Sequence, residues 1–81
     1  MHANYYALRR KLVRQGFNEA EIDEAFNDIA VAHNLGKTPA GAIETDSTPG
    51  GFKRYGVKVF GRPITYHVRP PDQLVIDRVE P

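Results

Sequence analysis

The stretch that decides the fold runs from Phe52 to Pro81: Phe-Lys-Arg-Tyr-Gly-Val-Lys-Val-Phe at 52–60, Gly-Arg-Pro at 61–63, Ile-Thr-Tyr-His-Val-Arg at 64–69, Pro-Pro-Asp-Gln at 70–73, then Leu-Val-Ile-Asp-Arg-Val at 74–79. Three runs rich in β-branched and aromatic residues are separated by Gly, Pro and Asp, which reads as an antiparallel meander. Side chains alternate between the faces of a strand. Tyr55, Val57 and Val59 therefore share one face of the first strand, and Ile64, Tyr66 and Val68 one face of the second. In the third, Leu74 and Ile76 fall on one face and Val75 and Val79 on the other, the pattern of a central or covered strand. The opposite faces of the first two strands carry Arg54, Lys58, Thr65, His67 and Arg69. Gly61-Arg62-Pro63 reads as the first turn, and Pro70 to Gln73 as the second.

Upstream, two helices are expected to cover one face of this sheet. Asn4 reads as the N-cap of a first helix over Tyr5 to Gln15, with Tyr5, Leu8 and Leu12 forming an apolar stripe. Gly16 is the stop, because only glycine enters the left-handed region without a Cβ penalty. Phe17 follows, placed to touch Leu12. Asn18 then caps a second helix, with Glu21 three residues on as a capping box and Phe17 with Ile22 as a hydrophobic staple. Ile22, Ala25, Phe26, Ile29 and Ala32 or His33 make its apolar face, and it ends between Asn34 and Gly36. The result is a tight αα-hairpin. Residues 7–24 resemble one helical repeat of the RecX-type recombination regulators, with a basic helix, a Gly-Phe corner and an acidic second helix. Capping chemistry alone accounts for that motif.

Residues 36–51 read as a long loop, in which Ala42 to Thr45 forms a short edge strand and Asp46 to Gly51 is flexible. The Gly36-Lys37-Thr38 step is not a phosphate-binding loop: positions 31 and 32 are Val and Ala, so the earlier glycine is missing, and no strand precedes it. At 81 residues the chain fits one domain, divided into a helical hairpin over 1–35, the loop over 36–51 and the meander over 52–81. The fold class expected is α+β, an N-terminal αα-hairpin packed on a three- to four-stranded antiparallel meander.

The chain has no cysteine, which excludes a disulfide framework and thiolate metal sites and suits a cytoplasmic protein. No apolar run reaches the ~20 residues of a membrane span, and the first residues lack the apolar centre of a signal peptide. The net charge is +1 but unevenly spread. Arg9, Arg10, Lys11 and Arg14 make the first helix basic; Glu19, Glu21, Asp23, Glu24 and Asp28 make the second acidic. These read first as two solvated faces that complement each other.

His2, His33 and His67 are scattered without metal-ligand spacing, so neither a metal nor a cofactor is expected. Ser47 has no marked base, so nucleophilic catalysis has no candidate. What remains is the basic and aromatic set on the sheet. Arg54, Lys58, Arg62, Arg69 and Arg78 are the binding residues expected to hold phosphate or acidic groups. His67 and Tyr66 are the residues nearest any chemistry, with His67 suited to proton transfer near neutral pH. An enzyme built this way would be a metal-independent ribonuclease; a solvated sheet face without catalysis is the weightier reading.

Residues 26–79 resemble the second half of the RelE/ParE-type toxin fold. The likeness rests on Phe26 to Gly36, a Pro/Gly loop, Lys53-Arg54-Tyr55-Gly-Val-Lys-Val, Arg62-Pro-Ile-Thr-Tyr66 and Leu74-Val-Ile-Asp-Arg78-Val79. That family opens with a strand before its helical hairpin, and here only Met1 to Asn4 precede the first helix. The resemblance implies a bacterial or phage protein that binds RNA, the ribosome or another cellular target such as gyrase, with an antitoxin-like partner. The alternative is a small non-enzymatic binding or inhibitor protein, encoded by a phage or mobile element, that engages a host protein.

Overall fold

The computed structural model describes residues 3–69 and 73–80. Helix α1 (Ala3–Arg14) and helix α2 (Glu19–Asn34) precede four strands, β1 (Ile43–Ser47), β2 (Lys53–Val59), β3 (Arg62–Arg69) and β4 (Gln73–Val79). The strands form one antiparallel sheet in the order β1-β2-β3-β4. The expected α+β architecture is the one observed. No helix among the described residues is long and apolar enough to cross a membrane.

The hairpin corner follows the capping chemistry. Gly16 has φ 97°. Its N–H donates to Val13 O at 3.0 Å and that of Phe17 to Leu12 O at 3.1 Å, the two bonds of a Schellman motif. Asn18 Oδ1 accepts from the N–H groups of Ala20 and Glu21, at 2.8 and 3.3 Å. The second helix ends the same way, with Gly36 N–H on His33 O and Lys37 N–H on Ala32 O. At the other end, α1 begins at Ala3, so Asn4 lies inside the helix and is not its cap. Tyr5 is buried against Phe26, ring centroids 5.2 Å apart, and the helical backbone already encloses it.

The basic and acidic helices meet as expected. Arg9 bridges to Asp23 at 2.8 Å and Glu19 at 3.4 Å, and the Tyr5 hydroxyl also donates to Asp23. The Arg9 and Tyr5 hydrogen bonds lower the Asp23 pKa to about 2.

Leu8, Leu12, Ile22, Phe26 and Ile29 of the helices meet Val59, Ile64, Tyr66, Leu74 and Ile76 of the sheet in one core. Phe17 reaches the same core and stacks on Phe60, centroids 4.9 Å apart. That contact explains a correction to the first sheet turn. The turn is Phe60-Gly61, with φ 52° and 77°, and Arg62 and Pro63 belong to β3. Two positive φ values in a two-residue loop match the right-handed twist of the flanking strands. An aromatic residue accepts that backbone here because its ring is held against Phe17. Of the second expected turn, Pro70 to Gln73, residues 70–72 lie outside the described residues, and Gln73 already belongs to β4.

In the last strand, of the two expected readings, central or covered, the second holds: β4 is an edge strand, and Leu74, Val75 and Ile76 are all buried. One expectation changes. A bulge between Thr65 and Tyr66 in the β3–β4 register lets Val79 pair with Ile64 and join the core side. The two-residue period is broken there, and so is the face assignment.

The loop is shorter than composition alone predicts. β1 occupies residues 43–47, leaving Thr48 to Gly51 as a hydrogen-bonded turn. Thr48 is buried; its N–H donates to Phe52 O at 2.7 Å, its carbonyl accepts from Gly51 at 2.9 Å, and its Oγ1 accepts from Phe52 N–H at 3.1 Å. The segment lacks an apolar anchor, but a polar one holds it.

Candidate binding site on the outer sheet face

The register places Arg54 opposite His67, and His67 opposite Val75. All three therefore point away from the helices. Phe52, one residue before β2, brings its ring over the same face and stacks on His67, centroids 6.0 Å apart. Asp77, two residues beyond Val75, completes the group.

These side chains form a continuous polar chain. Arg54 Nη1 donates to Asp46 Oδ2 at 3.0 Å, and Arg54 Nε lies 3.5 Å from Asp77 Oδ2. The Nε contact is an ion-pair distance outside hydrogen-bond geometry, and this nitrogen is buried without another partner. His67 Nδ1 is 2.7 Å from the same Asp77 oxygen. On the far side of the ring, Arg69 Nε donates to His67 Nε2 at 3.0 Å. Since an arginine can only donate, Nε2 is the acceptor and Nδ1 carries the proton that Asp77 receives. His67 is only 2% exposed. The Arg69 guanidinium carbon lies 5.7 Å from the Phe52 ring centroid, over its face.

The expected site residues are thus partly assembled. Arg54, His67 and Arg69 come together. Lys58 lies on the same face farther along β2, lining a shallow groove of about 550 Å³ with Ile43, Gly56, Pro63 and Thr65. Arg62 pairs with Val59 at the hairpin end, on the helix side. Arg78 sits at the bulge, well exposed and 3.5 Å from Glu80. His67, expected on an exposed face, is buried there, because Phe52, Arg54, Arg69 and Asp77 close over it.

Tyr66 lies on the other face and shares nothing with His67. Its hydroxyl is 2.7 Å from His33 Nε2, beside Tyr55. Burial pushes its pKa up. Burial also lowers the pKa of His33 below the ordinary 6.5. The folded state therefore disfavours charged His33, and protonation draws the chain towards unfolding. This part of the stability is complete above pH about 6.5 and falls as the pH drops through the lowered folded value. Urea midpoints at about pH 7.5 and about pH 5.5 should differ more in the parent than in His33→Gln, which keeps a hydrogen-bonding group but does not titrate. Equal differences would remove His33 as the cause.

Sequence reading missed Phe52, Asp46 and Asp77. The available signal was Asp77 itself, a carboxylate in phase with Val75 on a strand paired to the one that carries His67. Among the described residues, no group of three His, Asp or Glu side chains converges in a way that would hold a metal ion. In a second cleft, lined by Tyr5, Tyr6, Arg9, Asp23, Glu24 and Asn27, Tyr5 and Arg9 both donate to Asp23. Comparison with protein-family models, with curated proteins and with solved structures finds no match for this chain.

Proposed function

We propose that this chain is a non-enzymatic binding protein that docks on a protein partner through its outer sheet face. The observation that carries this reading is the engagement of both ring nitrogens of the buried His67 by Asp77 and Arg69. A general acid or base needs a nitrogen within reach of a substrate proton, and here Asp77 and Arg69 hold both. The partner class follows from charge. On this face Arg54 meets Asp46 and Asp77, and Arg78 meets Glu80. Alternating charges give little of the net positive field that draws polyanionic RNA. Arginine and aromatic residues beside an apolar groove suit a protein interface. A cytoplasmic setting belongs to the same proposal and fits the cysteine-free composition.

A second reading is a RelE/ParE-like toxin acting on RNA or the ribosome. It is supported by the order of a helical hairpin followed by antiparallel strands, and by Lys58 and Arg69, which have no acidic partner among the described residues.

Capture from nuclease-treated bacterial lysate separates the two. A Cβ on Gly56 would meet Thr45 Cγ2 at 3.5 Å, an ordinary contact, so Gly56→Arg fills the groove from a backbone that tolerates a side chain. The parent should retain a protein partner after nuclease treatment, and Gly56→Arg with Lys58→Glu should lose it while keeping the parent's circular dichroism. Retention by the double variant would move the surface elsewhere. Growth arrest with specific RNA cuts on expression would favour the toxin reading.

A further inference from the structure

We infer that Arg69 is a built receptor for a single carboxylate, presented by an acidic side chain or chain terminus of the partner; its biological use rests on the protein-binding reading above. Arg69 is exposed, but its guanidinium is anchored on two sides before any ligand arrives. Its Nε is held by buried His67, which is itself held by Asp77, and its plane lies over Phe52. With Nε committed, the two terminal nitrogens remain as the ligand-facing end of the fork. Among the described residues no acid pairs with them. Gln73 is the cross-strand partner of Arg69, so a neutral amide stands on the same face beside it. A side chain already ordered in its bound geometry gives up little freedom on binding.

Charge and shape select a carboxylate. Within the chain of contacts, Arg54 and Arg69 are balanced by Asp46 and Asp77, so the cluster carries no surplus positive charge. One guanidinium end and one amide match a planar monoanion. A phosphate, carrying about −1.5 to −2 charges near neutral pH, calls for further cations, and none of the other exposed basic side chains joins this cluster. Arg69→Lys would keep the charge and lose both the fork and the Nε anchor.

The receptor can be tested without knowing the partner, by nuclear magnetic resonance titration of the full chain with sodium acetate and, separately, with inorganic phosphate at constant ionic strength. Acetate should shift the Arg69 Nε–Hε resonance to saturation while Arg78 responds weakly and linearly. Arg69→Lys should weaken the response of the Gln73 side-chain amide about tenfold, the loss of roughly one charge-assisted hydrogen bond. A linear response at Arg69 equal to that of Arg78 would overturn the receptor. Saturation by phosphate at lower concentration than acetate would overturn the choice of carboxylate. A saturable acetate response together with failed partner capture would refute the protein-binding reading and leave the receptor standing; the reverse combination would do the opposite.

Discussion

Phe26→Ala is expected to cost about 3–5 kcal/mol, the range for truncating a buried phenylalanine. Phe26 is fully buried midway along α2 and meets the edge of Tyr5. Removing the ring takes away the transfer energy of its surface and leaves a cavity between two helices and the sheet. The corner turns on either side of α2 are fixed by Schellman bonds, so the helix has little freedom to sink into the gap. A chain of this size has on the order of 4–12 kcal/mol of stability in total. The loss would therefore lower the melting temperature by roughly 12–40 °C, at about 4–8 °C per kcal/mol. Phe26→Leu keeps most of the volume and should cost less than about 1.5 kcal/mol. Differential scanning calorimetry of the two variants gives the answer. A Phe26→Ala melt within a few degrees of the parent would mean that Phe26 does not anchor the helices to the sheet.

The parts of the fold that were legible are those with local chemistry. Gly16 and Asn18 announce the hairpin because a left-handed stop and a side-chain cap each need specific residue types in adjacent positions. The alternation of Tyr55, Val57, Ile64 and Tyr66 announces the face of the sheet because the period of two is local. What escaped depends on contacts distant in sequence. Phe60 takes positive φ on account of Phe17, far upstream, so the turn shifts off the glycine-proline triplet. The bulge in β4 resets the phase of Val79, and no composition marks a bulge.

At the candidate site, the face of Arg54, His67 and Arg69 was readable and its burial was not. A strand pattern places His67 outwards, but Phe52 closing over it depends on a turn anchored by Thr48. This also changes the expected result of reversing Arg54 and Arg69. On a solvated face the double reversal would be nearly neutral. Here Arg54→Glu would set a third carboxylate between Asp46 and Asp77, and a measurable loss of stability is expected.

Asp77→Ala is the second large effect expected, about 2–3 kcal/mol. Asp77 accepts the proton of a histidine that has almost no access to water, and it lies beside the buried Arg54 Nε. Truncation leaves the His67 N–H without an acceptor, and an unsatisfied buried donor costs about 1–3 kcal/mol. The ion pair with Arg54 adds less, because both side chains keep contact with solvent, which screens it. Asp77→Asn retains an acceptor for His67 but turns an amide N–H₂ towards Arg54, so roughly half the loss should remain. The comparison is made by urea unfolding at constant pH, with the slope checked for constancy. A cycle with His67→Phe isolates the contact: once the donor is gone, Asp77→Ala should cost less by more than about 0.5 kcal/mol. If Asp77→Ala stays within about 0.5 kcal/mol of the parent, or if the cycle shows no coupling, then His67 is not held by Asp77. The anchored geometry of Arg69 would lose its support as well, since the same imidazole meets Asp77 on one side and Arg69 on the other.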